Sequence, residues 1–398
     1  MIANYLSFAS QHRRPLAFGG ILITLSSFGQ TYYVSLFGAG FRSAFDLTDG
    51  DIGAMYGGAT LLSAFTLTWA GRLIDRTTVR RYTWVAAALL AGACLLTAIA
   101  PFGLMLAVCF YFLRIGGQGL MMHTALTATG RSFPKDAGKA LGVVMLCFSL
   151  AQAILPPLAV AGIDVIGWRA VWIAGAVVVI GGAALATALL PRGGDSDAII
   201  RESRPATYPA LWRDSRMLLT LPVILAAPFI GTGFFFHQAR LAQEKGWSLS
   251  WLAGWFAAYA IAQAVTNIAA GPLIDRMRPI RMLPIFLIPL AGGMLALTFS
   301  TSDWTAPVYL ILTGVSSGIA ATLATALWVD LYGPVRLAQV RSTVEAGLIV
   351  ASGASPALFG YLLDRGVSLG DQAFYCFIYI VAASALTLGV ARKPAGTV

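Results

Sequence analysis

Few strongly polar side chains stand inside the long apolar runs of this 398-residue chain, and those few bound the chemistry it can do. Arg114, in "YFLRIGGQGLMM", is one, and Gln118 follows it at i+4, on the same face of an α-helix. An arginine keeps its proton at ordinary pH, so away from water it needs an anion or several carbonyls. Arg114 therefore either binds a carboxylate, from a substrate or a coupling acid, or clamps two helices together. Glu345, in "VRSTVEAGLIV", is the only acid deep inside an apolar run. It either carries a proton or pairs with Arg341, one turn away. The remaining candidates are neutral: Gln30 with Tyr33 and Phe37 one to two turns on, His237 in "FFFHQAR", and Gln263 with Asn267 at i+4. These can touch a polar solute. His123 shares a face with Gly116 and Gly119, a pattern of close helix packing. The runs hold no paired carboxylates, His/Asp metal constellation or nucleophile–base pair, so neither an enzyme activity, a metal nor a cofactor is expected.

The elements that must position these residues follow from composition. Hydrophobic residues make up 58% and charged residues 11% of the chain, and mean hydropathy is +0.76. Soluble domains carry about a quarter charged residues. Runs of about 20 apolar residues, long enough to cross the hydrocarbon of a bilayer, account for the difference. The net charge of +10 does not gather on one module, so nucleic acid is not an expected partner. The four cysteines, Cys94, Cys109, Cys147 and Cys376, all fall in apolar runs without disulfide or metal spacing.

Apolar runs fall near 16–40, 50–71, 82–100, 103–128, 139–162 and 169–190, then near 217–240, 250–271, 281–300, 306–330, 339–362 and 371–391. The polar stretch between the two sets reads as a linker. The expected division is a six-helix bundle over 1–190, a cytoplasmic linker over 191–216 and a second bundle over 217–398. With a cytoplasmic N-terminus, 21 of the 27 Lys and Arg lie on the cytoplasmic side, while the acids split eight and eight with Glu345 inside a span. Only the basic residues are asymmetric, as the positive-inside rule requires, which places both termini in the cytoplasm. Past their first two residues, spans three, six, nine and twelve carry no Gln, Asn, His or charge, so the other eight are expected to surround a polar cavity.

A short charged motif occurs twice. "GRLIDR" spans Gly71 to Arg76 and "GPLIDR" spans Gly271 to Arg276, 200 residues later. Thr48 and Ser248, Arg81 and Arg281, Pro134 and Pro334, and Pro156 and Pro356 keep the same offset. The chain is therefore two copies of a six-span unit, and six being even, both copies point the same way. In each copy the motif lies in a short cytoplasmic loop, where Asp75 and Asp275 can accept from a helix N-terminus and Arg76 and Arg276 can bind bidentately.

"GRLIDRTTVRR" resembles the loop motif of the major facilitator superfamily, "GPLIDRMRPIR" its weaker second copy, and "RIGGQG" the family's span-four motif. The resemblance covers nearly the whole chain. It implies an all-α integral membrane protein, twelve transmembrane helices in two six-helix parallel repeats around a central cavity, working by alternating access. It also implies a cytoplasmic gate built from Gly71, Asp75, Arg76, Gly271, Asp275 and Arg276. "LRIGGQGLMMHTA" further resembles bacterial carriers related to monocarboxylate transporters. Span eight, "WLAGWFAAYAIAQAV", lacks the Asp/Arg pair of those carriers. With no nucleotide-binding motif present, an ion gradient, most simply protons, is the expected drive. The expected function is secondary transport of a small organic anion such as a monocarboxylate, by a monomer in the cell inner membrane. Binding is expected at Arg114, Gln118, Gln30, Tyr33, Gln263, Asn267 and His237, with Glu345 coupling protons. Drug or metabolite efflux is the alternative; proton antiporters of that kind carry a Gly-rich run ending Gly-Pro in span five, where this chain has "SLAQAILPPLA".

Overall fold

The computed structural model describes residues 2–190, 214–333 and 337–391, and among them every regular element is helical. Twelve spans follow one another. Eight helices are each long and apolar enough to cross a bilayer. One of them, Ala137–Ala188, is two spans: Gly167 at its middle has φ 79 and ψ 155, a backbone that glycine alone adopts without strain. The remaining three crossings are less regular. Span two, Asp49–Ala70, carries two acids in its first turn and ends in the 3-10 turn Gly71–Asp75. Span nine has a short apolar helix, Ile288–Phe299.

Span one is broken. The helix Arg13–Ser26 tightens into a 3-10 turn at Ser27–Gly29, and Gln30 is extended at φ −85, ψ 148. The chain then resumes through Thr31–Val34, Ser35–Phe37 and Gly38–Phe45. Span four is also irregular. Between Met105–Leu113 and Met122–Ser132 it forms a π-helical stretch, Arg114–Met121. Such stretches reach back five residues for each hydrogen bond and are frequent at functional positions.

The chain divides into two compact units, Met1–Thr48 with Met55–Glu202, and Asp49–Ala54 with Ser203–Val398. Helices in lipid associate through small residues that let backbones approach. In the first unit a Cβ on Gly182 would stand 2.8 Å from Leu25, and one on Gly175 would stand 3.0 Å from Phe28, which seats span six on span one. Tyr33, Phe37 and Trp172 close an aromatic cluster on the same seam. In the second unit Gly314 and Gly318 of span ten lie against span eight, where added Cβ atoms would stand 2.5 Å from the Tyr259 and Gln263 carbonyls. Adjacent side chains at the end of span seven cap two helices of opposite polarity. Glu244 accepts from the Leu369 and Gly370 N–H groups at 2.8 and 3.0 Å, and Lys245 donates to the Leu297 and Ser300 carbonyls. Exposed apolar side chains such as Ile99, Val165 and Phe299 suit hydrocarbon rather than water.

Candidate functional site

Arg114 is 5% exposed. Its Nη1 donates to the Gly29 carbonyl and to Thr31 Oγ1, each at 3.4 Å, and its guanidinium lies 5.2 Å from the centre of the Tyr56 ring. Among the described residues its Nε has no hydrogen-bond partner. The break in span one presents these acceptors. Gln30 N–H turns back to Ser27 O at 3.0 Å, and Tyr33 and Val34 N–H both go to Gln30 O at 3.1 Å. None of these donors uses the Gly29 carbonyl, which faces the guanidinium instead. Tyr56, fully buried in span two, donates to Thr31 Oγ1 at 2.8 Å. The result is a buried cation held by neutral oxygens at the long limit of hydrogen bonding, with no carboxylate partner among the described residues. A charge removed from water without a counter-ion is strongly destabilising unless something supplies one. The guanidinium thus keeps hydrogen-bonding capacity that the described residues leave open.

The other polar candidates separate into several places. Gln118 is exposed although it follows Arg114 by four residues, because the π-helical backbone changes the phase of the span. Gln30 is 7% exposed and points Nε2 at Met122 Sδ, 3.9 Å away. Tyr33 is packed among Phe28, Phe37 and Trp172. In the second unit Gln263 Nε2 donates to the Tyr259 hydroxyl at 3.4 Å, and Asn267 Oδ1 accepts from Thr322 at 2.9 Å, so both lie along the seam of spans eight and ten. Glu345 is exposed, and neither Arg341 nor another described cation forms an ion pair with it.

His237 stands between the helices Ser215–Phe236 and Gln238–Lys245 and is 2% exposed. One ring nitrogen meets the Pro356 carbonyl at 2.9 Å and the other lies 3.8 Å from Asp49, which also lies 3.6 Å from Arg240 Nε. Gly50 N–H donates to Asp364 at 3.0 Å in the same unit. Apolar periodicity gives no sign that the first turn of span two is held by spans seven and eleven.

At the other end of span two, Asp75 forms an ion pair with Arg131, at the end of span four of its own unit. The preceding carbonyls are held too, Ala70 by the Tyr82 hydroxyl at 2.8 Å and Gly71 by His123 at 3.1 Å. Arg76 closes this turn, whereas Gly271 and Arg276 lie within the helix Phe256–Met277, so the second copy of the motif is helical where a loop was expected. The Asp275 side chain, residues 191–213 of the linker and Pro334 lie outside the described residues. Thr31, Tyr56 and Arg131 escape a search for charges and amides inside spans. The available signals were "FGQT", where a glycine and an amide interrupt a helix, and a tyrosine within the Gly-rich "GAMYGG".

The chain matches the family model described as Major Facilitator Superfamily over residues 19–257 and 239–396. It is 24% identical over 293 residues to monocarboxylate transporter 11 of Mus musculus, covering 69% of this chain and 64% of that relative's length. Two solved structures share its fold. Both are of a bacterial homologue of the human lysosomal transporter Spinster in an inward-facing conformation. The occupied form has a TM-score of 0.73 at 16% identity, over 98% of this chain and 97% of that one. The unoccupied form has a TM-score of 0.70 at 15% identity, over 95% and 96%.

Proposed function

Because this chain belongs to the Major Facilitator Superfamily, a family of multi-pass membrane transporters, we propose that it is a secondary active transporter of a small organic anion, a monocarboxylate in the first instance. The observation that carries the reading is the state of Arg114: a buried guanidinium with an unpartnered Nε and no carboxylate beside it among the described residues. A clamp between helices would be expected to satisfy its donors, whereas a site awaiting an anion leaves them open. The similarity to a transporter named for monocarboxylates supports the same class. Gln30, Gln118 and Tyr33 of the first unit, and His237, Gln263 and Asn267 of the second, are proposed to shape the path of the solute.

Protons are the proposed coupling ion. Glu345 supports this reading because it is exposed and unpaired among the described residues, so a proton can reach and leave it. Movement is proposed to follow alternating access, with the loop residues Gly71, Asp75, Arg76, Gly271, Asp275 and Arg276 forming the cytoplasmic gate. The excess of basic residues on one set of loops supports cytoplasmic placement of both termini, and a monomer in the cell inner membrane is proposed with it. The test is uptake of labelled pyruvate and benzoate into proteoliposomes. Accumulation above the external concentration when the proton gradient is imposed, and its collapse with an ionophore, is expected. Transport of cations or neutral solutes with no carboxylate uptake overturns the assignment.

A further inference from the structure

Thr31 is the residue after the break in span one, and its hydroxyl joins Tyr56 to Arg114. Oγ1 accepts from the Tyr56 hydroxyl at 2.8 Å and from Arg114 Nη1 at 3.4 Å. A hydroxyl has two acceptor lone pairs and one proton to give. With the Tyr56 hydroxyl as the donor, both lone pairs are occupied and the Thr31 proton is left to give. Arg114 Nε likewise lacks an acceptor. Around a full positive charge, the network therefore holds more N–H and O–H donors than the described residues provide acceptors for. The two residues also differ in access. Arg114 is 5% exposed, whereas Thr31 is half-buried and is the more open edge of the network.

We propose that Thr31 is a specificity-determining residue of the anion site. Its hydroxyl donates to one oxygen of a bound carboxylate whose other oxygen takes an N–H of Arg114. The inference rests on the organic-anion reading and adds to it a second contact and a selection rule. A carboxylate offers two acceptor oxygens to this donor pair. A carboxamide of the same shape turns an NH2 toward one of the donors and leaves it unsatisfied, and sites of this kind reject such analogues strongly. The break at Gln30 serves the same end, because an unbroken helix would tie up the Gly29 carbonyl that helps aim the guanidinium.

The test uses the full chain in detergent, with acetate, pyruvate and benzoate as probes, benzamide as the neutral control, and calorimetry as the readout. Thr31→Val keeps the shape and removes the hydroxyl; Thr31→Ser keeps the hydroxyl. The valine variant is expected to bind the tightest carboxylate roughly ten- to hundredfold more weakly, the worth of one hydrogen bond to a charged group. The serine variant is expected to bind close to wild type, and benzamide to bind neither. If the valine protein fails to fold, Thr31→Ala against Thr31→Ser makes the same comparison. Normal carboxylate binding by the valine variant, with loss in Arg114→Lys, overturns the role of Thr31 and leaves the anion site standing. Equal loss in the valine and serine variants also overturns it, since packing rather than the hydroxyl would then matter. If no carboxylate binds wild type, this inference and the organic-anion reading fall together.

Discussion

Gly29 and Gly117 meet backbone to backbone where span one crosses span four: a Cβ on Gly117 would stand 2.7 Å from Gly29 Cα, and one on Gly29 would stand 2.9 Å from Gly117 Cα and fall on the Leu113 carbonyl. This contact sets how close the Gly29 carbonyl comes to Arg114. A methyl group here meets main chain, which cannot swing aside. Gly117→Ala is therefore expected to cost about 1–3 kcal/mol, the usual range for overpacking, and to abolish carboxylate binding. Gly130, further along the same span, faces open space. Gly130→Ala should be neutral or stabilising by up to about 1 kcal/mol, since alanine favours helix. Thermal melting of both variants in detergent checks the pair; equal melting would mean that the two spans do not touch through these glycines.

The Asp75–Arg131 ion pair is exposed on the Asp75 side, whose side chain is 58% accessible. Pairs of this kind contribute about 0–1 kcal/mol. Asp75→Asn is accordingly expected to melt close to wild type yet transport several-fold more slowly, because the pair fixes the turn proposed as part of the gate. Exchanging the charges, Asp75→Arg with Arg131→Asp, should recover part of the rate. If Asp75→Asn transports at the wild-type rate in proteoliposomes, Asp75 is an ordinary loop charge.

Much of this was legible in the sequence, and the reasons for the rest are physical. Apolar runs locate the twelve spans, because hydrocarbon imposes length and composition on each one. Arg114 announces itself because charge is costly among apolar neighbours. The face it shares with Gln118 could not be read, since the i+4 rule assumes an α-helix and residues 114–121 are π-helical. The break at Gln30 and the service of Thr31 and Tyr56 depend on a crossing between distant segments. Hydropathy does not report such a crossing. Asp49 shows the same limit: its contacts with His237 and Arg240 arise only from tertiary packing.

Glu345→Gln is expected to abolish accumulation driven by a proton gradient while leaving exchange of labelled for unlabelled substrate intact. An amide fills the space of the carboxyl but carries no proton. Both modes can be measured in one proteoliposome preparation, with and without an imposed gradient. Normal accumulation by the glutamine variant would remove Glu345 from coupling.

The proposed anion site depends most directly on Arg114, and carboxylate binding measured beside melting temperature for Arg114→Lys and Arg114→Ala tests it. A substrate-binding arginine loses its planar two-donor fork in the lysine variant while the charge remains. Affinity should then fall roughly ten- to hundredfold, the worth of a hydrogen bond to a charged group. The alanine variant should bind almost nothing yet stay folded and monodisperse, since it removes a buried charge that no described acid pairs. The contrary result is a lysine variant that binds normally with an alanine variant that unfolds or aggregates. That outcome would make Arg114 a clamp between helices and end the assignment of an anion site.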